Sequence, residues 1–115
     1  MPAEGRTGDT PVWPLPGRMS AAEREAWAQL WRTPQAVAWE RLGWTRTVGR
    51  YCRVLIEAER RNAPPPVRAE ARQLEDKLGL TPKAMRLLLW EVVSDEVADK
   101  RDEAGSGTRD RFKAV

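Results

Sequence analysis

The side chains of this sequence that could do acid–base chemistry come as pairs of near-neighbour carboxylates: Glu57 and Glu59, Glu75 and Asp76, Asp95 and Glu96. The chain has no His, which removes the commonest general base and the commonest metal ligand. Its single Cys, Cys52, cannot form an internal disulfide or build a zinc site. Ser-His-Asp, Cys-His and thiolate–imidazole metal chemistry are therefore excluded within the chain, while carboxylate-only chemistry is not. None of the carboxylate pairs sits beside a motif that would raise a pKa or hold a metal, so they read as solvated helix faces. There is no glycine-rich phosphate loop followed by Lys-Ser or Lys-Thr, which argues against an ATPase. The expectation is no catalytic residue, no metal and no cofactor.

Binding is the remaining kind of function, and charge is the first guide to it. The chain has 115 residues, 20 Lys+Arg against 17 Asp+Glu, a net charge of +3 and a pI near 9.5. The excess is local. Residues 44–61 carry five Arg against two Glu. Within them Arg46, Arg50 and Arg53 recur at helical spacing on the face opposite Val48, Tyr51, Cys52, Leu55 and Ile56. Arginines so spaced can meet successive phosphates of DNA; the other reading is the solvent side of an amphipathic helix. Lys83 and Arg86 lie near the positive end of a later helix, also a favourable place for phosphate. Six Trp raise the prospect of base stacking, but the helical phase of Trp27, Trp31, Trp39 and Trp90 assigns them to the core. Trp44, after Gly43, is expected to pack between helical pairs.

The elements that must position these groups are all helical. Residues 1–19, rich in Pro and Gly, form an extended or disordered arm in which Trp13 and Leu15 could dock on a surface. Ser20 and Glu23 make a capping box for a first helix, to about Arg32. A second starts with Thr33 as its cap and Pro34 at its first helical position, carries Ala38, Trp39 and Leu42 and is closed by Gly43. Thr45 opens a third, to about Arg61, in which Gly49 marks close packing. After a stiff Asn62–Pro66 connector, a fourth helix from Val67 to Leu78 presents a narrow seam of Val67, Ala71, Leu74 and Leu78, and Gly79 caps it. The third and fourth helices are expected to form a central antiparallel hairpin. Thr81-Pro82 starts a fifth, whose Met85, Leu87, Leu88, Leu89, Trp90, Val92 and Val93 point nearly all round. A small domain cannot bury such a helix alone, so a partner chain is expected on one face, centred on Met85, Leu88, Leu89, Trp90 and Val92. The alternative cover is the first helix together with the Trp13 arm. Gly105-Ser-Gly107 is expected to break the helix, leaving residues 94–115 as a charged, mobile tail that ends in the basic residues Arg109, Arg111 and Lys113. The globular part is thus residues 20–93.

No apolar run approaches the roughly 18 residues of a membrane span, and no signal peptide is evident. A cytoplasmic setting, with no membrane partner, is the expectation.

The run Leu78-Gly-Leu-Thr-Pro-Lys-Ala-Met-Arg-Leu-Leu-Leu-Trp90 resembles the GLTP…R segment of small terminase subunits from tailed phages and prophages. Trp27 to Trp31 falls in the place of that family's first helix, and Tyr51-Cys52 resembles the Tyr-Cys of its next long helix. The Trp-rich form with WPLPGR is similar to versions from actinobacterial phages. The resemblance spans residues 13–93; the acidic-then-basic tail, the three consecutive prolines and the lack of a clear recognition-helix signature depart from it. It implies a subunit that is no enzyme, binds double-stranded viral DNA near the packaging start and assembles into a homo-oligomeric ring. The ring hands the DNA to a large terminase subunit holding the ATPase and nuclease, in the host cytoplasm. Gly79, Leu80, Thr81, Pro82 and Arg86 match the motif, which is assigned to fold and subunit contact. The competing reading is an all-helical adaptor or regulator-like module that binds a protein and no DNA.

Overall fold

The computed structural model describes residues 5–113, with the side chains of residues 5–90 and 92–101. The first four residues of the expected arm, the last two of the expected tail, and the side chains of Arg109, Arg111 and Lys113 lie outside the described residues. The chain is all-α: α1 (Ala21–Leu30), α2 (Gln35–Leu42), α3 (Thr45–Ala58), α4 (Pro65–Lys77) and α5 (Pro82–Lys113), with no strand among the described residues.

Local chemistry sets most of the helix ends. At α1 the Glu23 N–H donates to Ser20 Oγ and the Ser20 N–H donates to Glu23 Oε1, both at 3.1 Å. This reciprocal pair satisfies two otherwise orphaned donors. Gly43 closes α2 with φ +73°, a conformation that costs glycine nothing. At α5, Thr81 Oγ1 accepts from the Ala84 N–H at 3.1 Å, and Pro82 occupies the first helical position.

Three ends differ from expectation. Thr33 does not cap α2, because its hydroxyl donates to the Leu30 carbonyl, at 2.8 Å, and α2 starts after Pro34 without a side-chain cap. Pro65 and Pro66 belong to the first turn of α4, where a missing N–H costs nothing. α5 does not break at Gly105 and Gly107 but continues to Lys113. A helical glycine costs about 1 kcal/mol relative to alanine, too little to end a long helix by itself. At about 1.5 Å per residue, the 32 residues of α5 span about 48 Å, the larger part of the long axis of a 69 × 30 × 26 Å molecule.

The core is built on tryptophan. Trp27, Trp31 and Trp39 are almost fully buried together with Val48, Tyr51, Cys52, Leu78 and Leu88. Trp13, Trp27, Trp31 and Trp39 form an edge-to-face ladder with centroid separations of 5.1, 5.5 and 5.6 Å. That geometry places the positive edge of one ring on the negative face of the next. α3 packs on α4, α1 and α2, and α5 packs on α2 and α4. Of the seam on α4, Ala71 and Leu78 are buried while Val67 and Leu74 are half-buried.

The extended arm is docked on α1 and α3, and does not cover α5. Trp27 Nε1 donates to the Pro11 carbonyl at 2.8 Å. Gly49 lets the arm lie directly on α3, since a Cβ there would stand 3.1 Å from Pro14 Cγ and 3.3 Å from Leu15 Cγ. Near the start of the described chain, Arg6 pairs with Glu40 and lies 5.5 Å over the Trp31 ring.

Cys52 is fully buried, and its thiol donates to the Glu23 carbonyl at 3.3 Å. Burial, with the nearby Glu23 charge, pushes the thiol up to about 11. Because the thiolate is the reactive form, Cys52 is expected to resist a disulfide reagent at pH 8 in the folded protein and to react at once in denaturant. A thiol titration followed at 412 nm checks this.

Candidate functional site

Tracing each arginine of α3 separates three residues that sequence spacing had grouped. Arg46 and Arg50 are exposed, and neither makes an ion pair among the described residues. Arg50 reaches only its neighbour Thr47 Oγ1, at 3.4 Å. One turn apart, the two project from one face of α3, with Cβ atoms about 5–6 Å apart. Arg53 is committed elsewhere. Its guanidinium donates to the Pro16 carbonyl at 2.6 Å and to Glu23 Oε2 at 3.3 Å, and lies 5.4 Å over the Trp13 ring. It therefore clasps the arm and is withdrawn from the free cationic stripe. Burial pushes the Glu23 carboxyl up, but the two bonds with Ser20 and the Arg53 charge outweigh it and hold Glu23 below its ordinary range. Lys83 and Arg86 are exposed in the first turns of α5. They stand on a helix that packs on α2 and α4, apart from the face of α3 that carries Arg46 and Arg50.

Three of the six paired carboxylates, Glu75, Asp76 and Asp95, have structural partners. Glu75 accepts from Tyr51 Oη at 2.9 Å, and Asp76 accepts from the Thr81 hydroxyl at 3.1 Å. Burial first, and then Glu75, raise the Tyr51 phenol well above its ordinary range, which keeps it a donor. Asp95 pairs with Arg41 at 2.8 Å, and Asp99 pairs with the same guanidinium. Arg41 was not singled out from the sequence. Its signal is the spacing of Asp95 and Asp99, which places two carboxylates one turn apart on the inner side of α5.

The Leu78–Pro82 segment is a joint between α4 and α5, held from α2. Trp39 Nε1 donates to the Leu78 carbonyl at 2.8 Å, and Gln35 Nε2 donates to the Gly79 carbonyl at 3.0 Å. The Leu80 N–H returns to the Glu75 carbonyl at 2.9 Å, which closes α4 through Gly79 at φ +76°.

The residues expected to meet a partner on α5 divide between its two sides. Leu88 is 2% exposed and packs in the core against Gly79, so it faces no partner. Met85, Leu89 and Val92 are half-buried. Trp90, assigned to the core by helical phase, is instead 76% exposed, beside Leu87 at 60%, Val93 at 56% and Val97 at 42%. A helix apolar on all sides does not reveal which side its neighbours will take, and α2 and α4 take the side of Ala84 and Leu88. What remains is an outward apolar stripe larger than scattered surface residues would make. Among the described residues, no group of His, Cys, Asp and Glu is arranged to hold a metal, and no helix is long and apolar enough to cross a membrane.

Comparison of the chain with protein families, with curated proteins and with solved structures returns no match.

Proposed function

We propose that this chain is a small terminase subunit, a non-catalytic protein that binds double-stranded viral DNA, assembles as a ring and delivers the DNA to a large subunit carrying ATPase and nuclease. The observation that carries the reading is one small helical domain presenting both an uncovered apolar helix face, at Leu87, Trp90, Val93 and Val97, and an arginine pair, Arg46 and Arg50, without carboxylate partners among the described residues. The first suits assembly and the second suits phosphate. The resemblance of residues 78–90 supplies the functional class, and the pairing of α3 with α4, read as the antiparallel hairpin, is compatible with it. Lys83 and Arg86 are a second contact to the DNA backbone. The large subunit and the host cytoplasm belong to the same proposal.

The test is anisotropy of a labelled duplex titrated with the protein across salt. Binding is expected to weaken steeply as salt rises. The double variant R46A/R50A is expected to reduce the slope of log affinity against log salt by about 2, roughly one per lost phosphate contact. An unchanged slope would move the contact to Lys83 and Arg86. No duplex binding at any salt, with self-association intact, would favour the adaptor reading, which the apolar stripe on α5 serves equally well.

A further inference from the structure

The outward face of α5 has an ordered chemistry. Lys83, Arg86, Trp90, Val93, Val97 and Lys100 follow at intervals of three, four, three, four and three residues, so they form one stripe along the helix. Its centre is apolar and its two ends are cationic, with Arg101 beside Val97 adding to the far end. Asp95 and Asp99 point the other way, onto Arg41, and the exposed Glu96, one turn before Lys100, lies off the line of the stripe. Two copies of such a stripe are poorly matched to each other. Antiparallel pairing brings Arg86 near Lys100 of the other copy, parallel pairing sets like against like, and like charges across an interface oppose association.

A complement exists elsewhere on the same molecule. Between α1 and α3 runs a groove floored by Ala22, Ala26, Leu55 and Ile56, and the charged side chains lining it are Glu25 and Glu59. Neither carboxylate makes an ion pair among the described residues. Groove and stripe thus match in kind, apolar to apolar and cation to carboxylate. Arg86 and Lys100 stand about 21 Å apart along α5, whereas α1 contributes only residues 22–29 to the groove, so a single cationic end meets the rim. With Lys83 and Arg86 facing DNA, that end is Lys100 with Arg101. They stand on different elements, because α5 packs on α2 and α4 while the groove belongs to α1 and α3.

We infer that the α5 stripe of one copy docks in the α1–α3 groove of the next, a head-to-tail contact between unlike surfaces of identical chains. This rests on the homo-oligomer proposed above and specifies how it is built. Each copy carries one stripe and one groove, so the contact does not end with two copies. It propagates and closes into a ring when the rotation per step allows.

Two surface variants test the inference by light scattering, without DNA, with circular dichroism confirming that each is folded. W90E removes the stripe and keeps the groove; E25K/E59K reverses the groove rim and keeps the stripe. W90E is expected to self-associate roughly 30-fold or more weakly than the parent chain, the usual effect of losing an interface centre, and E25K/E59K clearly more weakly than the parent as well, because like charges then face each other across the contact. Mixed in equal amounts, they are expected to form a one-to-one dimer and nothing larger, since only one intact stripe–groove pair is available. Assembly of E25K/E59K alone as strongly as the parent would show stripe meeting stripe and overturn the inference, leaving DNA binding and oligomer intact. A mixture that stays monomeric would overturn it as well. A parent chain that is itself monomeric would overturn both the inference and the oligomer beneath it.

Discussion

Trp39→Ala is expected to cost about 3–5 kcal/mol, the range for truncating a large buried aromatic, and so to bring the domain to the edge of unfolding, since small domains hold only about 5–15 kcal/mol. Three contributions converge on this side chain. It has no exposed surface, so its removal leaves a cavity. It ends the edge-to-face ladder, 5.6 Å from Trp31. Its Nε1–H is the donor that holds the Leu78 carbonyl at 2.8 Å, so truncation strands a buried acceptor, at about 1–3 kcal/mol. Trp39→Phe keeps most of the volume and loses the donor, and is expected to fall between the two. Urea unfolding followed by far-ultraviolet circular dichroism gives both numbers. A loss below about 1 kcal/mol for the alanine variant would mean that the joint between α4 and α5 does not depend on α2.

The second large effect is at Gly79. Gly43 and Gly79 share a left-handed backbone, at φ +73° and +76°, so alanine at either is expected to cost about 1–2 kcal/mol from backbone strain alone. Their surroundings differ. A Cβ at Gly43 would meet nothing within 4 Å, whereas at Gly79 it would stand 2.7 Å from Leu88 Cδ2 and 3.2 Å from Leu88 Cβ. Leu88 is itself core, so it has little room to yield, and overpacking adds about 1–3 kcal/mol. Gly79→Ala is therefore expected to be destabilised clearly more than Gly43→Ala, and the difference measures the Leu88 contact. Equal losses in paired urea titrations would show that α5 shifts freely over the joint. Because Leu88 also sets the rotation of α5, the expected by-product is a changed presentation of Trp90.

These two positions show what could be read from the sequence. Gly43, Gly79, the Ser20–Glu23 box and the Thr81-Pro82 start were legible because each signal and its effect lie within a few residues of chain. The all-helical class and the burial of Trp27, Trp31 and Trp39 followed from periodicity for the same reason. What escaped depends on contacts made far along the sequence. Arg53 matched the phase of Arg46 and Arg50, yet its partners are Pro16 and Glu23, and no spacing rule within α3 could reveal them. Trp90 shared the phase logic of a core residue, yet the side of α5 that is buried was decided by α2 and α4, through Leu88 against Gly79 and the Arg41 pairs with Asp95 and Asp99. The continuation of α5 past Gly105 and Gly107 reflects how weakly a single glycine opposes a long helix. The docking of the arm was one of two open readings, and Gly49, already suspected of close packing, is the residue that admits Pro14 and Leu15.

The central claim is that the chain is a DNA-binding homo-oligomer. Light scattering coupled to size exclusion, run with and without a duplex at about 50 mM salt, addresses it most directly. The account expects a particle whose mass is a multiple of 13.1 kDa greater than two, and which takes up the duplex as one unit. A particle of the mass of one chain, eluting apart from the duplex, would contradict it.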